Sequence, residues 1–239
     1  MGTQIVKKGF FMSEDPNTPV FNAIPPVIIA LFLILAGIEL TFFLAEARII
    51  GGAGGFAWRA DAIERFGMNT NILPWMLEQG RFPVEYVLRF VSYAFIHAGF
   101  LQTAIACTLF LAMGRYVGMS FHPVSVVAIF VSASVVGAVA YSYFGPSGAW
   151  LIGAYPAIYG LIGAYSFILW IALSARNEPQ YQAFYLIAFL MGVQLLFELL
   201  FSGSSAWVAD FSGFLTGFIL SFVLSPGGAA RMLRHLRRR

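Results

Sequence analysis

Long apolar runs alternate with short polar breaks along this chain, at a spacing set by the thickness of a bilayer. A membrane span needs about 20 mostly apolar residues. Six runs approach that length: Val27 to Leu44, Phe90 to Met113, Val124 to Tyr143, Pro156 to Leu173, Tyr181 to Phe201 and Trp207 to Leu224. The last three are separated by SARNEPQ and by the SGSS turn at Ser202 to Ser205. The pattern predicts an all-α integral membrane protein with six transmembrane helices in residues 26–226. A short segment, 1–25, precedes them and a basic tail, 227–239, follows. An even number of spans leaves both termini on one side.

The break between the first and second runs is different in kind. From about Glu46 to Leu88 it is too long for a turn and too apolar for a solvated loop, with Phe56, Trp58, Ile63, Phe66, Trp75, Met76 and Leu77 set among charges. Such a mixture suits the headgroup layer, so a long interfacial first external loop is expected. Within it PWMLEQG predicts a short helix, with Pro74 in the first turn and Gly80 where the helix stops.

Composition narrows the class further. Apolar residues make up 59% of the chain and charged ones 10%, which excludes a soluble globular protein. Lys7, Lys8, Arg115, Arg176 and the tail RMLRHLRRR fall on one side of the six spans, while FGPSG and SGSS carry no cation. Cationic segments stay in the cytoplasm, so both termini are expected there, in a bacterial inner membrane. The tail then meets anionic lipid headgroups, and no nucleic acid is expected as a partner. The first 25 residues are mostly polar and the first run is long enough to span, so that run is expected to stay as an anchor.

Cys107 is the only cysteine and lies inside an apolar run, which excludes an intrachain disulfide and suits a small buried hydrophobe. His97, His122 and His235 are too widely separated to build a metal centre with it. Nothing in the chain calls for a cofactor.

Small residues recur at helical spacing in two places. GAYPAIYGLIGA aligns Gly153, Ala157, Gly160 and Ala164, and ADFSGFLTG aligns Ala209, Gly213 and Gly217. Such stripes let helix backbones approach closely. Polar residues are rare inside the runs: Glu39 in LAGIELTFF, and Gln194 and Glu198 in the fifth. Glu39 must hydrogen-bond inside the bundle or face a partner helix, and it is a candidate partner contact.

The two small-residue frames and their order resemble rhomboid intramembrane serine proteases, over about Ile24 to Pro226. The fourth span of that family is written G-x-S-G-x-x-x-G and the sixth A-H-x-x-G-x-x-x-G. Tyr155, followed by Pro156, stands where the resemblance implies the nucleophilic serine, and Asp210 where it implies the histidine. The second span of the family resembles H-x-x-x-x-H-x-x-x-N, whose second His and Asn help bind the oxyanion. Here HAGFLQTAIA keeps His97 but has Gln102 and Ala106 at those two places. His97 is expected to tether the first loop. Arg89 matches half of the family's Trp-Arg pair, with Leu88 before it.

Serine-type cleavage needs a hydroxyl activated by a nearby base and donors aimed at the developing oxyanion. A phenol is a poor nucleophile near neutral pH, and a carboxylate replaces the base. The expectation is therefore a six-helix rhomboid-like pseudoprotease that is not an enzyme. The Tyr155 hydroxyl is expected to donate to Asp210, the alternative being that Asp210 is simply hydrated from an external cavity. Inactive members of the superfamily bind transmembrane clients, which implies a protein that holds partner helices near the gap between the second and fifth spans. A permanent structural subunit of a larger membrane complex is the alternative. A transporter or an enzyme of altered chemistry is the weakest, because no continuous polar path runs through the spans.

Overall fold

Proline opens the first helix at a position where its missing N–H would be unsatisfied anyway. In the computed structural model, which describes residues 24–201 and 205–225, this helix is α1 (Pro26–Glu46). Its buried residues are Ile28, Leu35, Glu39, Phe42 and Ala45, a stripe at helical spacing, while Leu33, Leu40 and Phe43 look outward. Outward apolar side chains are what a lipid solvent permits and water does not.

The long connection that follows is mostly helical. A 3-10 turn at Gly52–Ala57 leads into α2 (Trp58–Phe66), the two-residue strand β1 (Met68–Asn69), α3 (Ile72–Gln79) and α4 (Val84–Ser92), and ends in a 3-10 turn at Tyr93–Phe95. α3 is the helix expected from PWMLEQG, and Gly80 closes it in the left-handed region at φ 59. Phe56, Phe66, Leu77, Phe82 and Leu88 are all exposed on this connection, in keeping with contact with the headgroup layer.

Four more bundle helices follow: α5 (Phe100–Ser120), α6 (Pro123–Phe144), α7 (Tyr155–Ala175) and, after a 3-10 turn at Gln180–Phe184, α8 (Tyr185–Phe201). The sixth is α9 (Trp207–Leu224). Five of the six, α1, α5, α6, α7 and α9, are long and apolar enough to cross a membrane. α8 has 17 residues, and the apolar helical stretch that includes its 3-10 lead runs Gln180–Leu196. The loop before α7 contributes β2 (Trp150–Leu151), antiparallel to β1 through Met68 with Leu151 and Asn69 with Trp150. This short pairing ties the first external loop to the mouth of the bundle.

One boundary differs from the sequence reading. The second span was expected from Phe90, but α5 begins at Phe100. Residues 84–95 belong to the external loop, and the chain turns at Gly99 before entering the bundle. The residues from Phe90 to Ile96 are apolar because four of them, Phe90, Tyr93, Ala94 and Ile96, are buried in protein.

α7 is the central helix. Every residue from Pro156 to Ala164 is buried, and α7 packs against α9, α6 and α5. The contact with α9 is made backbone to backbone. A Cβ on Gly217 would overlap the carbonyl of Gly160, and one on Gly213 that of Pro156. Ala157, Ala164 and Ala209 are fully buried in the same interface region. Gly153 lies outside this arrangement: it precedes the helix, at φ +99, a conformation that L side chains rarely adopt. It makes the turn into α7, and a Cβ there would crowd Gln102 and His97, so the close approach it permits is to the start of α5 and the segment before it and not to α9.

Of the six bundle helices α8 is the least integrated, packing mainly on its own 3-10 lead and on α9. Phe189, Leu196 and Leu200 on it are exposed. The N-terminal segment, with Lys7 and Lys8, lies outside the described residues, as do the basic tail 227–239 with His235, most of the SGSS turn and the side chain of Glu198.

Candidate functional site

The first turns of α5, α7 and α9 come together at one end of the bundle, bringing Gln102, Tyr155 and Asp210 to one cavity of about 460 Å³. Helix α8 forms its fourth wall through Leu190, Val193 and Gln194. Ile105, Leu109, Leu151, Ile152 and Tyr159 complete an otherwise apolar lining. The convergence follows from the small-residue frames, because close approach of α7 and α9 at Gly160 and Gly217 holds their outer ends together.

Within the cavity, hydrogen bonds run differently from the expected pairing. The Tyr155 hydroxyl donates to the Gln102 backbone carbonyl at 3.3 Å, so it spans α7 and α5. The Asp210 carboxylate accepts instead from Gln194 Nε2, at 2.7 Å to Oδ2. Gln194 Oε1 in turn accepts from the Tyr159 hydroxyl at 3.4 Å. The expected bond from Tyr155 to Asp210 is thus replaced by a chain from α7 through α8 to α9. An amide suits the middle position because it donates and accepts at once.

Asp210 is 4% exposed and lies in the first turn of α9, where the positive end of the helix dipole favours a carboxylate. Gln102 uses its side-chain oxygen to accept from the Ala98 N–H at 2.7 Å, capping the turn before α5. Ala106 is fully buried in the α5 core and does not line the cavity. Among the described residues no group of His, Cys, Asp and Glu side chains is arranged to hold a metal.

Beneath the external loop lies a second polar cluster that the sequence did not announce. Arg59 on α2 donates to both Glu39 oxygens, at 2.9 Å each, and to Glu46 at 2.6 Å. Its Nη1 also donates to the His97 carbonyl at 2.9 Å, and the Thr103 hydroxyl adds a bond to Glu39 at 2.8 Å. The guanidinium lies over the Phe42 ring. Glu39 is 5% exposed, so it is consumed inside the bundle and is not available as the candidate partner contact. The hydrogen bond to Glu39 holds Arg59 above its usual basicity.

His97 connects the two clusters. Its carbonyl accepts from Arg59, and its Nε2 accepts from the Ala154 N–H at 3.2 Å, one residue before Tyr155. Burial pushes the imidazole down to about 4, in agreement with an Nε2 that must stay unprotonated to accept. The tether to the first loop is therefore made by the backbone of His97, while its ring fixes the start of α7.

Sequence reasoning passed over Tyr159 and gave Gln194 no partner. A polar residue at the same depth in a neighbouring span as Asp210 was the signal available. Arg59 was read only as a loop charge, since nothing in its neighbourhood marks a residue that will reach Glu39, 20 positions earlier.

No match is found among curated proteins. The family model described as Rhomboid domain matches residues 84–227, from α4 through α9, and so includes Gln102, Tyr155, Gln194 and Asp210. This overturns the expectation that the chain is not an enzyme, because the family is one of serine proteases and exchanged residues at Tyr155 and Asp210 do not by themselves remove a member from it. With more than half of its length matched, on a helical membrane bundle whose helix ends enclose a cavity holding a few polar groups, the chain belongs to the rhomboid family.

Proposed function

We propose that this rhomboid-family membrane protein binds transmembrane helices of partner proteins, admitting them laterally between α5 and α8. The observation that carries the reading is the cavity itself. Its walls are α5 residues Gln102, Ile105 and Leu109 on one side and α8 residues Leu190, Val193 and Gln194 on the other, and α8 packs mainly on α9 and its own 3-10 lead. A helix docking there meets apolar walls along its length and polar groups at its outer end. Where hydrocarbon surrounds every alternative site, a few well-placed polar contacts and close packing decide association.

The same reading sets residues 26–226 as the membrane domain, in a bacterial inner membrane with both termini in the cytoplasm. Arg115 and Arg176 support the orientation, since they lie toward the ends of α5 and α7 opposite the cavity.

A photoreactive residue placed at Ile105 or at Val193 in living membranes tests the binding reading, with one at the exposed Val136 of α6 as control. The expected result is one shared set of membrane-protein adducts from Ile105 and Val193, absent from Val136. Identical adducts from all three positions, or lipid adducts alone, would count against it.

A further inference from the structure

The Asp210 carboxylate is only half used. Oδ2 accepts from Gln194, and among the described residues Oδ1 has no hydrogen-bond partner. The ion pairs among the described residues are those of Arg59 with Glu39 and Glu46, so no cation of the bundle serves Asp210. Yet the carboxylate is 4% exposed, and it lines a mostly apolar cavity whose other polar side chains, Gln102, Gln194, Tyr155 and Tyr159, are all neutral. A carboxylate so placed is costly unless paired. Its position in the first turn of α9 offsets part of that cost, and the ionised form accepts hydrogen bonds and cannot donate.

We infer that Asp210 is the recognition point for a cationic side chain, Lys or Arg, carried by the partner helix within about one turn of its outer end. This deepens the proposed function and rests on it. Depth fixes the location along the partner: Gln102, Tyr155 and Asp210 all stand in first turns, so a side chain meeting Asp210 comes from the outermost part of a helix lying against α5 and α8. A Lys or Arg at that depth is compatible with a membrane helix, because its long stem lets the charge reach the interface until the partner is bound. The aliphatic walls from Ile105, Leu109, Leu190 and Val193 accommodate such a stem and the helix around it.

A metal cation fits less well. Hard divalent ions take six or more oxygen ligands, and the cavity offers one carboxylate, with no metal-holding group of His, Cys, Asp and Glu among the described residues. A neutral donor on the partner, such as an amide, would meet Oδ1 without offsetting the charge.

The test uses the whole protein in nanodiscs of zwitterionic phosphatidylcholine, with a photoreactive residue at Val193. Titrated against it are three Leu/Ala-rich transmembrane peptides that differ at a single site one turn from the outer end, bearing Lys, Gln or Leu. The Lys peptide is expected to reach half-maximal capture at about one tenth the peptide-to-lipid ratio of the other two, the lower bound for a close charge pair shielded from water. Asp210→Asn, which keeps the shape and the bond to Gln194, is expected to abolish that advantage. Equal capture of the three peptides by the unaltered protein overturns the cation assignment and leaves helix binding in place. A Lys advantage that survives Asp210→Asn overturns it as well. Capture of none of the three counts against the binding reading itself. The peptide series is read on the unaltered protein and so decides the matter even if the variant fails to fold.

Discussion

Arg59 and Glu39 are a residue-scale device with a measurable signature. Removing one member of a buried pair strands the other, which costs about 3–5 kcal/mol, whereas replacing both by apolar groups of similar size costs far less. Arg59→Met or Glu39→Leu alone is therefore expected to lower thermal stability in detergent sharply, and the double variant is expected to recover much of it. If the losses simply add, the pair is not acting as a unit. Glu46 changes this little, since its side chain is 42% exposed and can be hydrated. His97 gives a second prediction at this scale, in pH. The unfolded imidazole titrates near 6.5 and the native one at about 4, so between those values the unfolded chain holds a proton that the native one does not. Stability is expected to fall as pH drops from about 6.5 and to level off near 4, a loss on the order of 3 kcal/mol. His97→Gln keeps an acceptor for the Ala154 N–H and is expected to remove that part of the pH dependence. Comparing melting temperatures of the two proteins across this range checks it. Neither device was legible in the sequence. Glu39 could be recognised as needing a partner, but the identity of that partner depends on how a loop helix folds back over the bundle.

Elements were easier to read than contacts. Hydropathy located the helices because each span must satisfy its backbone internally and present apolar side chains to lipid. It misplaced the start of α5 for an equally physical reason. Burial in protein and burial in lipid select the same residue types, so Phe90 to Ile96 merged with the true span. The small-residue frames were legible as frames, but their geometry was not: Gly160, Gly213 and Gly217 mark a backbone contact, while Gly153 marks a turn. That contact predicts Gly217→Ala to be destabilising, by about 1–3 kcal/mol or more, because the added methyl meets the rigid backbone of Gly160 and not a side chain that can move. Gly37 in α1 is the internal control. A Cβ there meets nothing within 4 Å, and Gly37→Ala is expected to be neutral or stabilising by up to about 1 kcal/mol. Unfolding of both variants in mixed micelles by a denaturing detergent reads the contrast.

For the whole molecule, the order of spans and the site positions were visible from sequence, and the hydrogen bonds at the site were not. Tyr155 and Asp210 reach one cavity, as their places in the frames suggested. The side chain that bridges to Asp210 comes from α8, whose register against α9 no sequence period specifies. The topology makes a further prediction. Ser147 lies in the loop between α6 and α7, and Arg176 follows α7, both exposed, while Cys107 is buried. A membrane-impermeant maleimide is expected to label Ser147→Cys in cells with a permeabilised outer membrane, and Arg176→Cys only after lysis. The reverse pattern would invert the orientation.

The pairing of Glu39 with Arg59 also bears on how the chain is made. The carboxylate is synthesised first, and its counter-charge follows 20 residues later. Until it emerges, the newborn first helix brings an acidic group toward hydrocarbon without its cationic partner, at a cost. The first helix is therefore expected to sit less securely until that loop emerges: chains cut short before Arg59 should be extracted from the membrane more readily than chains cut short after α2.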